Sequence, residues 1–132
     1  MDRPNQPVLF KTMKTQKGLK VRASKTMTEG AFWAMIRSLL RRRSSQWKPI
    51  KDALLKAQRP SESSNPRLKW EYQCAYCMDW HPKTGVEVEH TVEVGSLTKG
   101  EDLPLFVERL FCESDHLLVL CLKCHDIKTY KR

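Results

Sequence analysis

No stretch of the chain approaches the roughly 18 consecutive apolar residues of a membrane span, which argues against a membrane protein. The basic N-terminus lacks both an apolar core and a small-residue cleavage site, so a secretory signal is not expected. The expectation is a protein kept in a reducing cytoplasm, where five cysteines argue against a disulfide framework. No internal repeat or low-complexity tract is evident, and there are no paired aromatics of the kind an RNA-binding sheet carries. Acidic residues are scarce in the first half. Residues 1–73 hold 5 Asp and Glu against 17 Lys and Arg, whereas residues 74–132 hold 10 against 7.

What is present is therefore unevenly divided: a strongly basic half precedes a slightly acidic half that carries all the cysteines. The net charge of +9 favours a polyanionic partner, because Lys and Arg neutralise phosphates. Residues 1–25, with seven basic residues and two prolines, read as a basic flexible arm or a solvated tail. A helix is expected from Thr28 to Arg43. Thr26 and Glu29 fit a capping box, and Phe32, Met35, Ile36, Leu39 and Leu40 form a core stripe. Arg41, Arg42 and Arg43 in its last turn either contact phosphate or simply complement the helix dipole. Pro49 starts a second helix with Ile50, Ala53, Leu54 and Ala57 on one face. The Pro, Ser and Asn content of 59–66 reads as a linker. It divides a helical basic region, 26–66, from a metal-binding region, 67–132.

In the second region, Leu68–Gln73 looks extended and Val86–Val92 alternates as a strand that Gly95 breaks. A short helix near 103–111 is capped by Asp102, Leu117–Leu120 is a short apolar run, and a helix spans 123–131. Cys74/Cys77 and Cys121/Cys124 are two CxxC pairs, 43 residues apart, that match a tetrahedral four-cysteine site for structural Zn2+. His81 could replace a cysteine ligand, but the set is complete without it. Cys112 reads as a small buried hydrophobe. A closed site of four thiolates does no chemistry itself; it pins together two distant segments.

Between and after the pairs stand Val86-Glu87-Val88-Glu89-His90 and Cys121-Leu122-Lys123-Cys124-His125-Asp126-Ile127-Lys128. From Cys74 to Lys128, 55 of 132 residues, the chain resembles the HNH (ββα-metal, His-Me finger) endonucleases with zinc knuckles. The helical part, with Trp33, Trp47 and Pro49, resembles small phage-encoded members. The resemblance implies an α+β fold: a ββα-metal unit stapled by a zinc ion on the four cysteines, with a basic helical N-terminal part. It also implies phosphodiester hydrolysis of DNA, in host cytoplasm if the chain is phage-encoded. His90 would be the general base, and Glu89 and His125 would hold a catalytic Mg2+, or Mn2+ or Ni2+. Lys128 would contact DNA together with Arg41, Arg42 and Arg43.

Two positions depart from the family pattern. Glu89 replaces the usual Asp, and His116 stands where an Asn, five residues before the third cysteine, helps to hold the base. His116 would assist catalysis through a ring nitrogen or as a further ligand. The alternative is a zinc-stabilised DNA-binding or adaptor protein with a degenerate site. Plainer roles compete residue by residue: His90 packed among valines, Glu89, His125 and Lys128 solvated, His116 structural. Charge alone does not separate DNA from RNA as partner, and no dimer interface can be read.

Overall fold

The computed structural model describes residues 18–130, with side chains as far as Ile127. The expected arm at 1–17 and the side chain of Lys128 lie outside the described residues. In chain order the elements are β1 (Lys20–Arg22), β2 (Met27–Thr28), α1 (Glu29–Ser44), α2 (Lys48–Ala57), β3 (Gln58–Pro60), β4 (Trp70–Gln73), β5 (Trp80–His81), β6 (Val86–His90), α3 (Leu103–Leu110), β7 (Leu117–Cys121) and α4 (Leu122–Tyr130). The strands form three small antiparallel sheets, β1-β2, β3-β4-β5 and β6-β7. The molecule is thus a mixed α+β fold, and no described helix is long and apolar enough to cross a membrane.

Each core cluster follows from an apolar face read in the sequence. Ile50, Ala53, Leu54 and Ala57 of α2 pack against Tyr72, Val86, Val88, Leu117 and Val119, so α2 covers one face of the β6-β7 hairpin. A second cluster joins α1 to α3 through Trp33, Val94, Leu97, Phe106 and Leu110. Here the expected stripe needs correction. Phe32, Ile36 and Leu40 do pack on this cluster, but Met35 and Leu39 are 39% and 48% exposed. The contact face of α1 is thus narrower than its apolar stripe, and it includes the buried Trp33.

Other sequence expectations also change. Residues 18–25 are not all arm: Lys20–Arg22 pairs with Met27–Thr28, and the Arg22 guanidinium binds Glu29 while lying 4.1 Å over the Phe32 ring. Thr28 caps α1 by accepting from the Ala31 N–H, while the Thr26 hydroxyl donates to the Ala23 carbonyl. Asp102 does not cap α3; its carboxylate accepts from the Thr98 N–H and hydroxyl. The 59–66 linker is instead the loop of a hairpin, because Gln58–Pro60 pairs with Trp70–Tyr72. That loop is ordered by Ser61 and Ser63 hydroxyls and closes on a turn in which Asn65 Oδ1 accepts from the Arg67 N–H. The alternating strand stops at His90 rather than Val92, and Cys112 lies just past α3, half-buried against the α2 cluster.

Trp47 links the start of α2 to the end of α3. Its indole N–H donates to the Cys112 carbonyl at 2.7 Å, and its ring meets Phe111 edge-on at 5.3 Å. Trp47→Phe keeps the ring contact and orphans a part-buried carbonyl, so a loss of about 1–2 kcal/mol is expected. Thermal unfolding checks this. An unchanged midpoint would mean that the bond contributes nothing to the joint between α2 and α3.

Candidate functional site

The hairpin register explains what its side chains do. Val86 pairs with Cys121, Val88 with Val119 and His90 with Leu117, while Glu87 faces Leu120 and Glu89 faces Leu118. Alternation puts Val86 and Val88 on the face covered by α2, leaving Glu87 and Glu89 on the opposite face. Helix α4, which leaves β7 at Cys121, comes back over that second face and carries His125 to both carboxylates. His125 Nδ1 meets Glu89 Oε2, and His125 Nε2 lies 3.3 Å from Glu87 Oε2. Sequence reasoning paired Glu89 with His125 but gave Glu87 no role in the site. Its position two residues before Glu89, hence on the same face, was the available signal.

His90 points away from this pair but ends the same strand. Its Nε2 lies 3.0 Å from the Leu110 carbonyl oxygen. The last carbonyls of a helix lack intrahelical partners, so the end of α3 offers an acceptor at this spot. A carbonyl only accepts, which puts the ring proton on Nε2 and makes Nδ1 the basic nitrogen of the neutral ring. A cleft of about 320 Å3 is lined by Arg41, Glu89, His90, Glu93, Val94 and Gly95. Of the three arginines at the end of α1, Arg41 reaches it, whereas Arg43 donates to Gln46. Burial, followed by repulsion from Arg37, lowers the Arg41 pKa from its ordinary value; the neighbourhood therefore penalises its charge and a nearby anion would relieve that cost.

His116 does not bring its ring to this cleft. The side chain is half-exposed and lines a separate pocket with Val92, Glu108, Arg109 and Cys112. Its main chain performs a bracing role instead: the His116 carbonyl accepts from the N–H of Thr91, the residue after His90, at 2.9 Å. Any residue at 116 could supply that bond. The imidazole expected to assist catalysis thus lies in a pocket of its own.

The four paired cysteines converge at the far end of the hairpin. Their ligating atoms all lie within 4.8 Å of one another, with Cys77 Sγ 3.9 Å from Cys121 Sγ. Sulfurs bound to zinc at about 2.3 Å would be about 3.8 Å apart in a tetrahedron, so the set fits a metal ion such as zinc. The first knuckle is held by the Met78 N–H to the Cys74 carbonyl and the Cys74 N–H to the Asp79 carbonyl, with Met78 in a left-handed conformation. The Ala75 N–H donates to Val119 and pins the knuckle to β7.

The acidities of these thiols are shifted in opposite directions. Burial disfavours the Cys74 thiolate, yet hydrogen bonds from the Cys121, Cys77 and Tyr76 backbones outweigh it and bring the pKa down to about 6. Its neighbour Cys124 is driven up to about 12, chiefly through the Cys121 thiol and then by burial. Four thiolates this close repel one another, and a divalent cation removes that conflict. His81 is not in the cluster; its Nε2 stands 3.9 Å from Cys77 Sγ, where it can brace a ligand from outside.

The chain matches no protein-family model, no curated protein and no solved structure. The residues of the site must therefore carry the functional reading by themselves.

Proposed function

We propose that this protein is a metal-dependent DNA endonuclease of the HNH type, in which His90 activates water and a structural Zn2+ occupies the four-cysteine site. The observation that carries the reading is the meeting of Glu89 and His125 beside His90, at the end of a hairpin that runs into a helix. An imidazole can serve two carboxylates either with a proton on each nitrogen or with a metal ion in place of one proton. Glu89 and His125 would hold the divalent ion, and their mixed oxygen and nitrogen donors suit Mg2+, Mn2+ or Ni2+. Once bound, the ion would supply positive charge at the scissile phosphate. Glu87 keeps the His125 ring oriented from its other nitrogen.

His90 receives the water's proton at Nδ1 while the Leu110 carbonyl fixes the tautomer and the ring plane. Arg41, in the cleft with both residues, positions a phosphate by its charge, and the basic first half of the chain adds backbone affinity without reading bases. A second reading, a zinc-stabilised DNA-binding protein with a degenerate site, draws on the placement of the His116 ring outside the cleft.

Cleavage of a supercoiled plasmid decides between them. Purified full-length protein is assayed with Mg2+, Mn2+ or Ni2+, and in buffer with no added divalent ion, with its zinc content measured in each arm. Nicked or linear product only with an added ion, at constant zinc, is the expected result. Salt-sensitive DNA binding with no cleavage under any ion would replace the enzyme by the binding protein.

A further inference from the structure

The β3-β4 hairpin carries a second feature that the endonuclease site does not use. The turn at Asn65–Leu68 and the three-residue helical turn at Lys83–Gly85 bring Arg67, Lys69 and Lys83 around one cleft of about 310 Å3, with Trp70 and Tyr72 in its lining. Among the described residues, no acidic side chain lines it and no carboxylate pairs with any of the three cations. Glu71 lies on the other side of β4, where it binds Arg59. An anionic chain would neutralise this gathering of positive charge, which has no counter-charge among the described residues.

The aromatic lining is equally distinctive. Trp33 is buried, Trp47 is tied to Cys112, and Trp80 is covered by the Arg59 guanidinium at 3.9 Å. Trp70 is 47% exposed, and among the described residues no ring or cation covers it. A half-exposed indole at the mouth of a cationic cleft is a platform for a planar partner. Tyr72 beneath it is buried and fixed by the Gln58 amide, which donates to its hydroxyl at 3.1 Å, so the floor is rigid.

We infer that this cleft binds an unpaired stretch of DNA, with a base stacked on Trp70 and neighbouring phosphates held by Arg67, Lys69 and Lys83. Bases of an intact duplex are stacked on one another and cannot offer a face to an indole, so the site selects single strands. The preference for DNA over RNA rests on the endonuclease reading. The stacking and charge chemistry does not, and the binding experiment is independent of cleavage.

Fluorescence anisotropy with the zinc-loaded full chain and no added divalent ion provides the test. The probes are an oligo-dT strand, an oligo-U strand and a duplex of equal length. Trp70→Ala is expected to weaken oligo-dT binding about tenfold and leave duplex binding unchanged, while Trp70→Phe retains most of the affinity. Replacing Arg67, Lys69 and Lys83 together with Gln should reduce the salt slope on oligo-dT by about 2. Unchanged oligo-dT affinity in Trp70→Ala, or equal losses on strand and duplex, would overturn the proposal, as would tighter binding of oligo-U than of oligo-dT. Should Trp70→Ala lose the native circular dichroism spectrum, a loss of affinity in Trp70→Phe equal to that of the charge variant would overturn it instead. Plasmid cleavage that survives in Trp70→Ala separates failure of this site from failure of the nuclease reading.

Discussion

Stripping the metal from the four-cysteine site, or replacing Cys74 with Ala, is expected to unfold the hairpin half of the protein. Cys74 is fully buried against Leu120 and Cys121, so that small cluster has thiols where a core would otherwise have hydrocarbon. The first knuckle is joined to β7 by the Ala75–Val119 hydrogen bond and by the packing of Cys74 on Leu120 and Cys121, a contact that centres on the sulfurs. Structural zinc contributes about 10–16 kcal/mol of apparent binding energy in small zinc domains, against a net stability of about 5–15 kcal/mol for a whole domain. Loss of the ion therefore exceeds what the remaining contacts supply. The measurement is metal content alongside a two-dimensional amide NMR spectrum, before and after chelation. Dispersed, native-like signals for Val86–His90 and Leu117–Cys121 in metal-free protein would show that the hydrophobic clusters suffice and that zinc is dispensable.

The second large effect is expected at His90. His90→Ala would remove the proposed base but also strand the Leu110 carbonyl, mixing a catalytic loss with a structural one. His90→Gln is cleaner, since its amide can still donate to Leu110 but cannot take up a proton near neutral pH. Plasmid cleavage by His90→Gln should fall by about 10^2- to 10^4-fold, the usual range for loss of a general base. DNA affinity and thermal stability should remain near wild type. His125→Ala should behave differently, with both cleavage and response to added Mg2+ or Mn2+ falling together. His90→Gln cutting within about tenfold of wild type would sink the assignment of the base.

These two sites differ in how openly the sequence displays them. The paired cysteines and the alternation of Val86 and Val88 are side-chain patterns, and a pattern of side chains is what a sequence spells out. The apolar face of α2 was legible for the same reason. The anchor of His90 was not, because Leu110 contributes only a main-chain carbonyl that every residue possesses. For His116 the sequence displays an imidazole but not the carbonyl that accepts from Thr91. The β1-β2 hairpin and the β3 partner of β4 escaped notice because two- and three-residue strands are too short to show a period, and a Ser- and Pro-rich loop looks alike whether it joins domains or closes a turn. Glu87 and Glu89 carry identical chemistry at equivalent positions, and only the arrival of α4 distinguishes either from a solvated strand residue.

The segment between the two strands of the β6-β7 hairpin is moored unevenly along its length. Near its end, residues 110–116 are fastened three times, by His90 to Leu110, by Trp47 to Cys112 and by Thr91 to His116. Near its start, Glu93 to Gly95 border the cleft, and Gly95 has a left-handed φ of 86°. Evolution can thus lengthen or shorten this excursion most safely at exposed Lys99, between the buried Leu97 and α3. An insertion in 111–115 would swing the imidazole out of register even if every side chain of the site were kept. Divergent relatives of this protein should vary in loop length before α3 and hold it constant after.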